Sequence, residues 1–283
     1  MNMIQVKNLS FSYNQYPFLE DINFDVSKGE IFGFLGPSGA GKSTLQKILT
    51  GLIANYKGNA IVNGTESKKH GKKFYENIGV YFEFPSFYEK LTAKQNLSFF
   101  GSLYSKELRS IDELLKLVGL LHDGDKKVSA YSKGMKSRLN FIKALIHNPD
   151  ILFLDEPTSG LDPSSSRDMK NIILEEKAKG KTIILTTHNM LDATELCDRV
   201  AFIVDGKLKA LDSPHNLIMS KGASKIHYTY MDNGEVTGEC LLNRIGEDNR
   251  LQDLIRNNLI LSIHSSEPTL NDIFIEVTGR VLQ

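Results

Sequence analysis

Ile31-Phe32-Gly33-Phe34-Leu35-Gly36-Pro37-Ser38-Gly39-Ala40-Gly41-Lys42-Ser43-Thr44 decides the fold of this 283-residue chain. Its first five residues are apolar or glycine, the pattern of a strand buried on both faces of a sheet. Residues 36–43 then fit G-x-x-x-x-G-K-[ST], a phosphate loop. The glycines let backbone N–H groups turn inward on a β-phosphate. The helix that follows, expected over residues 42–52, aims its positive dipole end at the same anion. Lys42 can reach the β- and γ-phosphates, and the Ser43 hydroxyl can bind Mg²⁺. Chance gives this pattern in about one chain in a hundred of this length. The bland alternative is a Gly-rich turn with an exposed lysine; a buried strand before it and a helix after it argue for the phosphate loop.

Upstream, residues 4–9 and 21–26 read as strands, with Lys28-Gly29 turning the chain into the quoted stretch. Downstream, Asn63-Gly64 marks a turn between two strand-like pieces. Residues 91–148 read as helical. Ser110 with Glu113 is a capping box, and Ser132 starts a helix whose apolar stripe is Met135, Leu139, Ile142 and Ile146. Ile151-Leu152-Phe153-Leu154 and Thr182–Thr187 are further buried strands. A helix over 165–179 between them makes a parallel βαβ unit. Residues 200–204 form a strand that ends at the hairpin signal Asp205-Gly206.

Asp155 and Glu156 close the strand over 151–154. Acids at the carboxyl end of a parallel strand lie in the ligand crevice of such folds. Alone, the pair would be an ordinary helix cap. Beside a phosphate loop, Asp155 holds Mg²⁺ through water and Glu156 polarises the attacking water as general base. His188 follows Thr182–Thr187 on the same sheet edge and can contact the γ-phosphate, although a lone histidine there is more often structural; its place in the order of motifs lifts it.

Composition bounds the rest. Lys plus Arg equals Asp plus Glu at 34 each, so the formal charge is zero, which argues against a general nucleic-acid binder. Cys197 and Cys240 have no metal or disulfide spacing and read as buried apolar residues in a reducing compartment. No apolar run approaches the roughly 18 residues of a membrane helix, and the N-terminus lacks a signal-peptide stretch. A membrane role would need another chain to supply the span. After residue 212 the character changes. Ile226, Tyr228 and Tyr230 alternate with polar positions, Asp232-Asn233-Gly234 turns, and a helix (250–257), a strand (259–264) and a helix (270–278) follow. The boundaries expected are therefore 1–212 and a small α+β appendage, 213–283.

Together these motifs resemble the nucleotide-binding subunit of an ABC transporter, over residues 1–212 and with every motif in order. Residues 36–43 match that family's Walker A motif, and 151–156 its Walker B motif with catalytic glutamate. Tyr131-Ser132-Lys133-Gly134-Met135 stands where the family signature belongs. Ser159-Gly160-Leu161-Asp162 resembles the D-loop, His188 the switch histidine, and Tyr13 the aromatic that stacks on adenine. The resemblance implies an α/β fold: an ABC-type P-loop ATPase core with a parallel sheet, an antiparallel β subdomain and a helical subdomain near 84–148. It implies ATP and Mg²⁺, with Tyr13, residues 36–43, Thr44, Ser132, Lys133, Gly134, Met135 and Asp162 on the nucleotide. Ser43, Asp155 and Glu83 fall to the metal, and Glu156, His188 and Glu83 to hydrolysis.

The family's sites form head to tail between two subunits. Ser132 and Gly134 would then reach the γ-phosphate held by a second ATPase protomer, here in a homodimer. The resemblance also implies a separate polytopic permease, a peripheral place on the cytoplasmic face of the cell membrane, and no nucleic-acid partner. Phe84, Phe87 and Tyr88 are candidates for the groove that receives the permease, or for core.

Lys133 and Met135 replace the signature's usual Gly and Gln, as in exporter-type members. Glu83, in Ile78-Gly79-Val80-Tyr81-Phe82-Glu83-Phe84-Pro85, replaces the Q-loop glutamine. It offers an anionic oxygen, better for Mg²⁺ but repelled by the γ-phosphate. That glutamate resembles transporters protecting producers of lantibiotics; neutral drift is the other reading. The stretch Glu267-Pro268-Thr269-Leu270-Asn271-Asp272-Ile273-Phe274, with Thr278-Gly279, resembles the tail of drug- and peptide-exporter ATPases, and Leu270, Ile273, Phe274 and Val277 form one apolar face. The expected function is ATP hydrolysis that powers export of a drug, antimicrobial peptide or lipid-like cargo. The alternatives are a soluble ABC ATPase and a nucleotide switch uncoupled from transport.

Overall fold

The computed structural model describes residues 2–220, 225–232, 234–266 and 268–280. Asn233 of the expected turn and Glu267 of the tail motif lie outside the described residues. The chain divides into two compact units, Met1–Leu211 and Asp212–Leu282.

The first unit opens with a long antiparallel hairpin, β1 (Asn2–Tyr13) and β2 (Tyr16–Ser27). Both strands outrun the expectation because polar residues alternate in them and blur the pattern. β3 (Ile31–Leu35) is buried along its whole length and feeds α1 (Lys42–Leu49). This helix ends before residue 52: the Thr50 hydroxyl donates back to the Gln46 carbonyl at 2.9 Å, and Gly51 follows at φ 76°. β4 (Lys57–Val62) and β5 (Thr65–Glu66) meet at Asn63-Gly64, with φ of 48° and 74°, the tight turn those residues favour. α2 (Lys72–Tyr75) leads to β6 (Ile78–Tyr81).

The helical stretch is α3 (Ala93–Gly101), α4 (Ile111–Leu117) and α5 (Lys133–Leu145). Ser110 does cap α4, accepting the Glu113 N–H at 3.4 Å, but only this half of the expected box forms. β7 (Ile151–Asp155), α6 (Pro163–Ala178) and β8 (Thr182–Thr187) make the parallel βαβ unit. α7 (Met190–Leu196), β9 (Arg199–Val204) and β10 (Lys207–Asp212) complete the series.

Strands β2-β1-β4-β5 form an antiparallel sheet, and β10-β9-β3-β8-β7-β6 the central one. From β9 to β6 the central strands run parallel, so β3, β7 and β8 all end at one edge. Phe24 joins the two sheets, its ring stacked on Phe32 at 5.4 Å and edge-on to Phe34 at 5.1 Å.

The second unit holds α8 (Pro214–Met219), β11 (Lys225–Met231), β12 (Glu235–Leu241), α9 (Asn249–Arg256), β13 (Ile260–Ser266) and α10 (Leu270–Thr278). Its sheet order is β12-β11-β13. Ile226, Tyr228 and Tyr230 are buried, and the two tyrosines pack with Leu251 and Leu254 of α9. Leu270, Ile273 and Phe274 are buried as the apolar face requires, while Val277 is exposed. Cys197 is buried; Cys240 is only partly so, because it lies on the edge strand β12.

Just after α5, His147 is fully buried, its ring flat against Tyr104 at 3.7 Å. Nε2–H donates to the Ile78 carbonyl at 2.9 Å, while Nδ1 is buried without a partner. Burial pushes its pKa down to about 4 from 6.5, so the folded protein holds the neutral ring. Because the unfolded chain binds this proton more tightly, the contribution is full above pH 6.5 and lost as pH falls through about 4. Up to about 3 kcal/mol of stability is expected to disappear across that window. His147→Gln should flatten this part of the curve of melting temperature against pH; an unchanged slope would contradict the assignment.

Candidate active site

Close packing shapes the phosphate loop. A Cβ at Gly36 would stand 2.1 Å from the Ile203 carbonyl oxygen, so only glycine lets β3 leave the sheet there. Gly41 caps α1 at φ 111° and offers no side chain to the first helical turn. The N–H groups of that turn are left for an external anion. Lys42 Nζ–H donates to the Gly36 carbonyl at 2.6 Å and the Pro37 carbonyl at 3.1 Å, folding the ammonium over the loop. Burial pulls its pKa below the ordinary lysine value, against the opposing influence of Glu156 and Asp155. The Asp205-Gly206 turn braces the loop from behind. Gly206 N–H donates to the Ala40 carbonyl at 3.3 Å, and its own carbonyl accepts from Glu20 N–H at 2.9 Å.

The acidic side comes from β7. Asp155 is buried, and its Oδ1 accepts from Ser43 Oγ–H at 3.2 Å and from the Thr186 hydroxyl. A serine hydroxyl and a carboxylate side by side are the hard oxygen donors that Mg²⁺ prefers. Among the described residues no three His, Cys, Asp or Glu gather to hold a metal alone. The donor set therefore fits an ion completed by phosphate and water. Glu156 follows at φ 53°, its N–H bonded to the Thr186 carbonyl at 3.0 Å. Its Oε2 lies 2.9 Å from His188 Nδ1.

A cleft of about 280 Å³ is lined by loop residues 38–44 with Phe18, Glu83 and Glu156. Tyr13 is half exposed beside it, its hydroxyl 3.2 Å from Thr44 Oγ1 and its ring edge-on to Phe11 and Phe18. The fold thus gathers Tyr13, residues 36–44, Glu83, Asp155, Glu156 and His188. Ser132, Lys133, Gly134, Met135 and Asp162 are not among the residues lining this cleft. Ser132 caps α5, accepting the Met135 N–H at 3.2 Å, and Asp162 caps α6, accepting from Ser164 and Ser165 N–H at 3.1 and 3.0 Å. Bonds from Ser165 hold the Asp162 carboxyl below its usual range. The α5 start meets residues 160–161 of the same chain: a Cβ at Gly160 would stand 2.8 Å from Lys133 Nζ, and one at Gly134 3.8 Å from Leu161.

Sequence reasoning missed Thr186, which fixes Asp155, and the bracing role of Gly206. The one available signal for Thr186 was a threonine pair ending an apolar strand just before His188.

Comparison with known proteins agrees with this fold. The family described as ABC transporter matches residues 19–159. A fluoroquinolones export ATP-binding protein of Mycobacterium tuberculosis (strain ATCC 25618 / H37Rv) is 47% identical, over 99% of this chain and 94% of its own. A bacitracin transport ATP-binding protein of Bacillus licheniformis is 32% identical, over 98% and 97%. Among solved structures, an ATP binding subunit of an ABC transporter superposes with a TM-score of 0.71 at 30% identity, over 78% of this chain and 93% of its own. A dimeric post-hydrolysis ATP-binding cassette bound to ADP and Pi shares the fold, with a TM-score of 0.67 at 24% identity, over 75% and 98%.

A methyl group at Gly206 would meet the Phe18 carbonyl oxygen at 1.8 Å, at φ 70°. Gly206→Ala is expected to cost about 2 kcal/mol of stability and to weaken ATP binding by loosening the loop behind Ala40. Thermal unfolding and ATP titration check this; wild-type values in both would contradict the brace.

Proposed function

This chain belongs to the ATP-binding subunits of ABC transporters, and from that premise we propose that it hydrolyses ATP to power export of a drug, antimicrobial peptide or lipid-like cargo through a separate membrane permease. The observation that carries the hydrolytic part is the Glu156–His188 contact at 2.9 Å beside the phosphate-loop cleft. The export part is supported by full-length likeness to ATP-binding proteins named for fluoroquinolone export, bacitracin transport and linearmycin resistance. No helix among the described residues is long and apolar enough to cross a membrane. On this reading the subunit is peripheral, on the cytoplasmic face of the membrane. The compact second unit, Asp212–Leu282, serves as an accessory domain.

The residues take the following roles. The first-turn N–H groups of α1 and the Lys42 ammonium hold the β- and γ-phosphates, while the Tyr13 ring stacks on adenine. Ser43, Asp155 and Glu83 are the oxygens that would hold Mg²⁺, which when bound neutralises phosphate charge. The Glu156 carboxylate accepts a proton from the attacking water, and His188 holds that carboxylate toward the γ-phosphate. Burial of Lys42 keeps its charge in a water-poor setting, where it acts more strongly on the phosphates than at the surface. Ser132, Lys133, Gly134 and Met135 of a second copy supply the facing half-site, with Asp162 beside them.

Glu156→Gln is expected to lower turnover by roughly 10²-fold or more while ATP still binds; steady-state hydrolysis with nucleotide titration checks it, and unchanged turnover would remove Glu156 from its role. Glu83→Gln should leave ATP affinity within about twofold and change the ATP consumed per cargo moved by the reconstituted complex. Wild-type coupling in that variant would mark position 83 as tolerant. Affinity capture from detergent-solubilised membranes should recover a polytopic protein. Recovery of ribosomal components without one would contradict the transport reading.

A further inference from the structure

Two cross-links join the segment leaving β7 to the segment leaving β8. The outer one is Glu156 Oε2 to His188 Nδ1 at 2.9 Å, with the histidine half exposed. The inner one is part-buried: Thr158 Oγ1–H donates to Asp192 Oδ2 at 2.6 Å, with Asp192 itself 3% exposed. The other Asp192 oxygen lies 3.2 Å from Lys170 Nζ of α6, which also pairs with Glu195. Asp192 N–H donates to Asn189 Oδ1 at 3.3 Å, so the carboxylate is fixed at the first turn of α7. Both carboxylate oxygens are therefore committed. Neither Thr158 nor Asp192 lines the phosphate-loop cleft. With Glu156 and His188 they line a neighbouring cavity of about 290 Å³.

Glu156 also needs holding. At φ 53° it occupies the left-handed region that a residue with a side chain adopts at a cost, and such conformations persist where neighbours over-determine them. Ser159 N–H donates to the Glu156 carbonyl at 3.1 Å, which steadies the backbone but says nothing about where the turn points. The Thr158 hydroxyl supplies that direction, tying the turn to the helix that starts just beyond His188.

We propose that the Thr158–Asp192 hydrogen bond, backed by Lys170, is a positioning brace for ATP hydrolysis: it sets Glu156 against His188 without touching the nucleotide. The inference rests on the assignment of Glu156 as general base. It makes Thr158 and Asp192 positioning residues. A binding residue would change ATP affinity; the brace changes how often Glu156 is aimed.

The test is steady-state hydrolysis and equilibrium ATP binding for Thr158→Val, which keeps the shape and loses the hydroxyl, and Thr158→Ser, which keeps the hydroxyl. Thr158→Ala is expected to carry the same loss and serves if valine disturbs folding. Removing the hydroxyl should lower kcat roughly tenfold with ATP binding within about twofold. Thr158→Ser should restore most of kcat. In a Glu156→Gln background, Thr158→Val should change the residual turnover by less than about twofold, because the aimed group is already gone. A kcat equal to wild type, a serine variant as slow as valine, or a tenfold loss that persists in the Glu156→Gln background would overturn the brace alone. Unchanged turnover in Glu156→Gln itself would overturn both the general-base assignment and the brace.

Discussion

A helix N-terminus without an internal partner organises this molecule. Gly41 caps α1 with no side-chain bond, and the first-turn N–H groups face a cleft instead of an acceptor. A fully buried strand, β3, delivers that terminus to the sheet edge where β7 and β8 also end. Parallel pairing is the reason the acids and the histidine arrive there: Asp155 lies opposite Thr186, and Leu35 opposite Thr187, in register. The candidate site is thus a consequence of sheet topology, and its chemistry is decided by the residues that end each strand or directly follow it.

The electrostatics of the cleft follow from the same arrangement. Lys42 is the buried cation, and Asp155 and Glu156 act on it from β7. Glu83 adds another carboxylate to the lining. Acids so close to one lysine suit a site completed by a divalent cation and a polyphosphate, each offsetting the charge of the other. On the proposed reading, Glu83 stands in place of an amide, and it adds a further carboxylate to the acids facing the cleft.

The strands at 31–35, 151–155 and 182–187 were readable because a strand covered on both faces is a continuous apolar run. Helix starts at Ser110 and Ser132 were readable because a cap is a local interaction. Edges were harder. β12 carries Glu235, Gly238 and Glu239, which looks like loop; the glycine is there because a Cβ would meet the Tyr228 ring at 2.5 Å across the pair. The residues that the cleft gathers were legible one by one, since the loop, the strand ends and the residues just beyond them carry local sequence patterns. The bonds that fix them were not. Thr186 to Asp155, Thr158 to Asp192 and Gly206 to Ala40 each join segments about thirty or more residues apart in sequence, and only tertiary packing brings them together. The face of α10 packed as its spacing implied except at Val277, near the last turn, which is left exposed.

On the reading proposed above, what one chain gathers is half of an ATP site. The α5 start, with Ser132 as its cap, lies against residues 160–161 and does not line the cleft that holds the phosphate loop. A second copy arranged head to tail would supply it. Sedimentation of the hydrolysis-deficient Glu156→Gln protein, with and without saturating ATP and Mg²⁺, tests that claim most directly. A monomer without nucleotide that doubles in mass with ATP is the expected result, and a protein that stays monomeric with ATP bound would contradict the account.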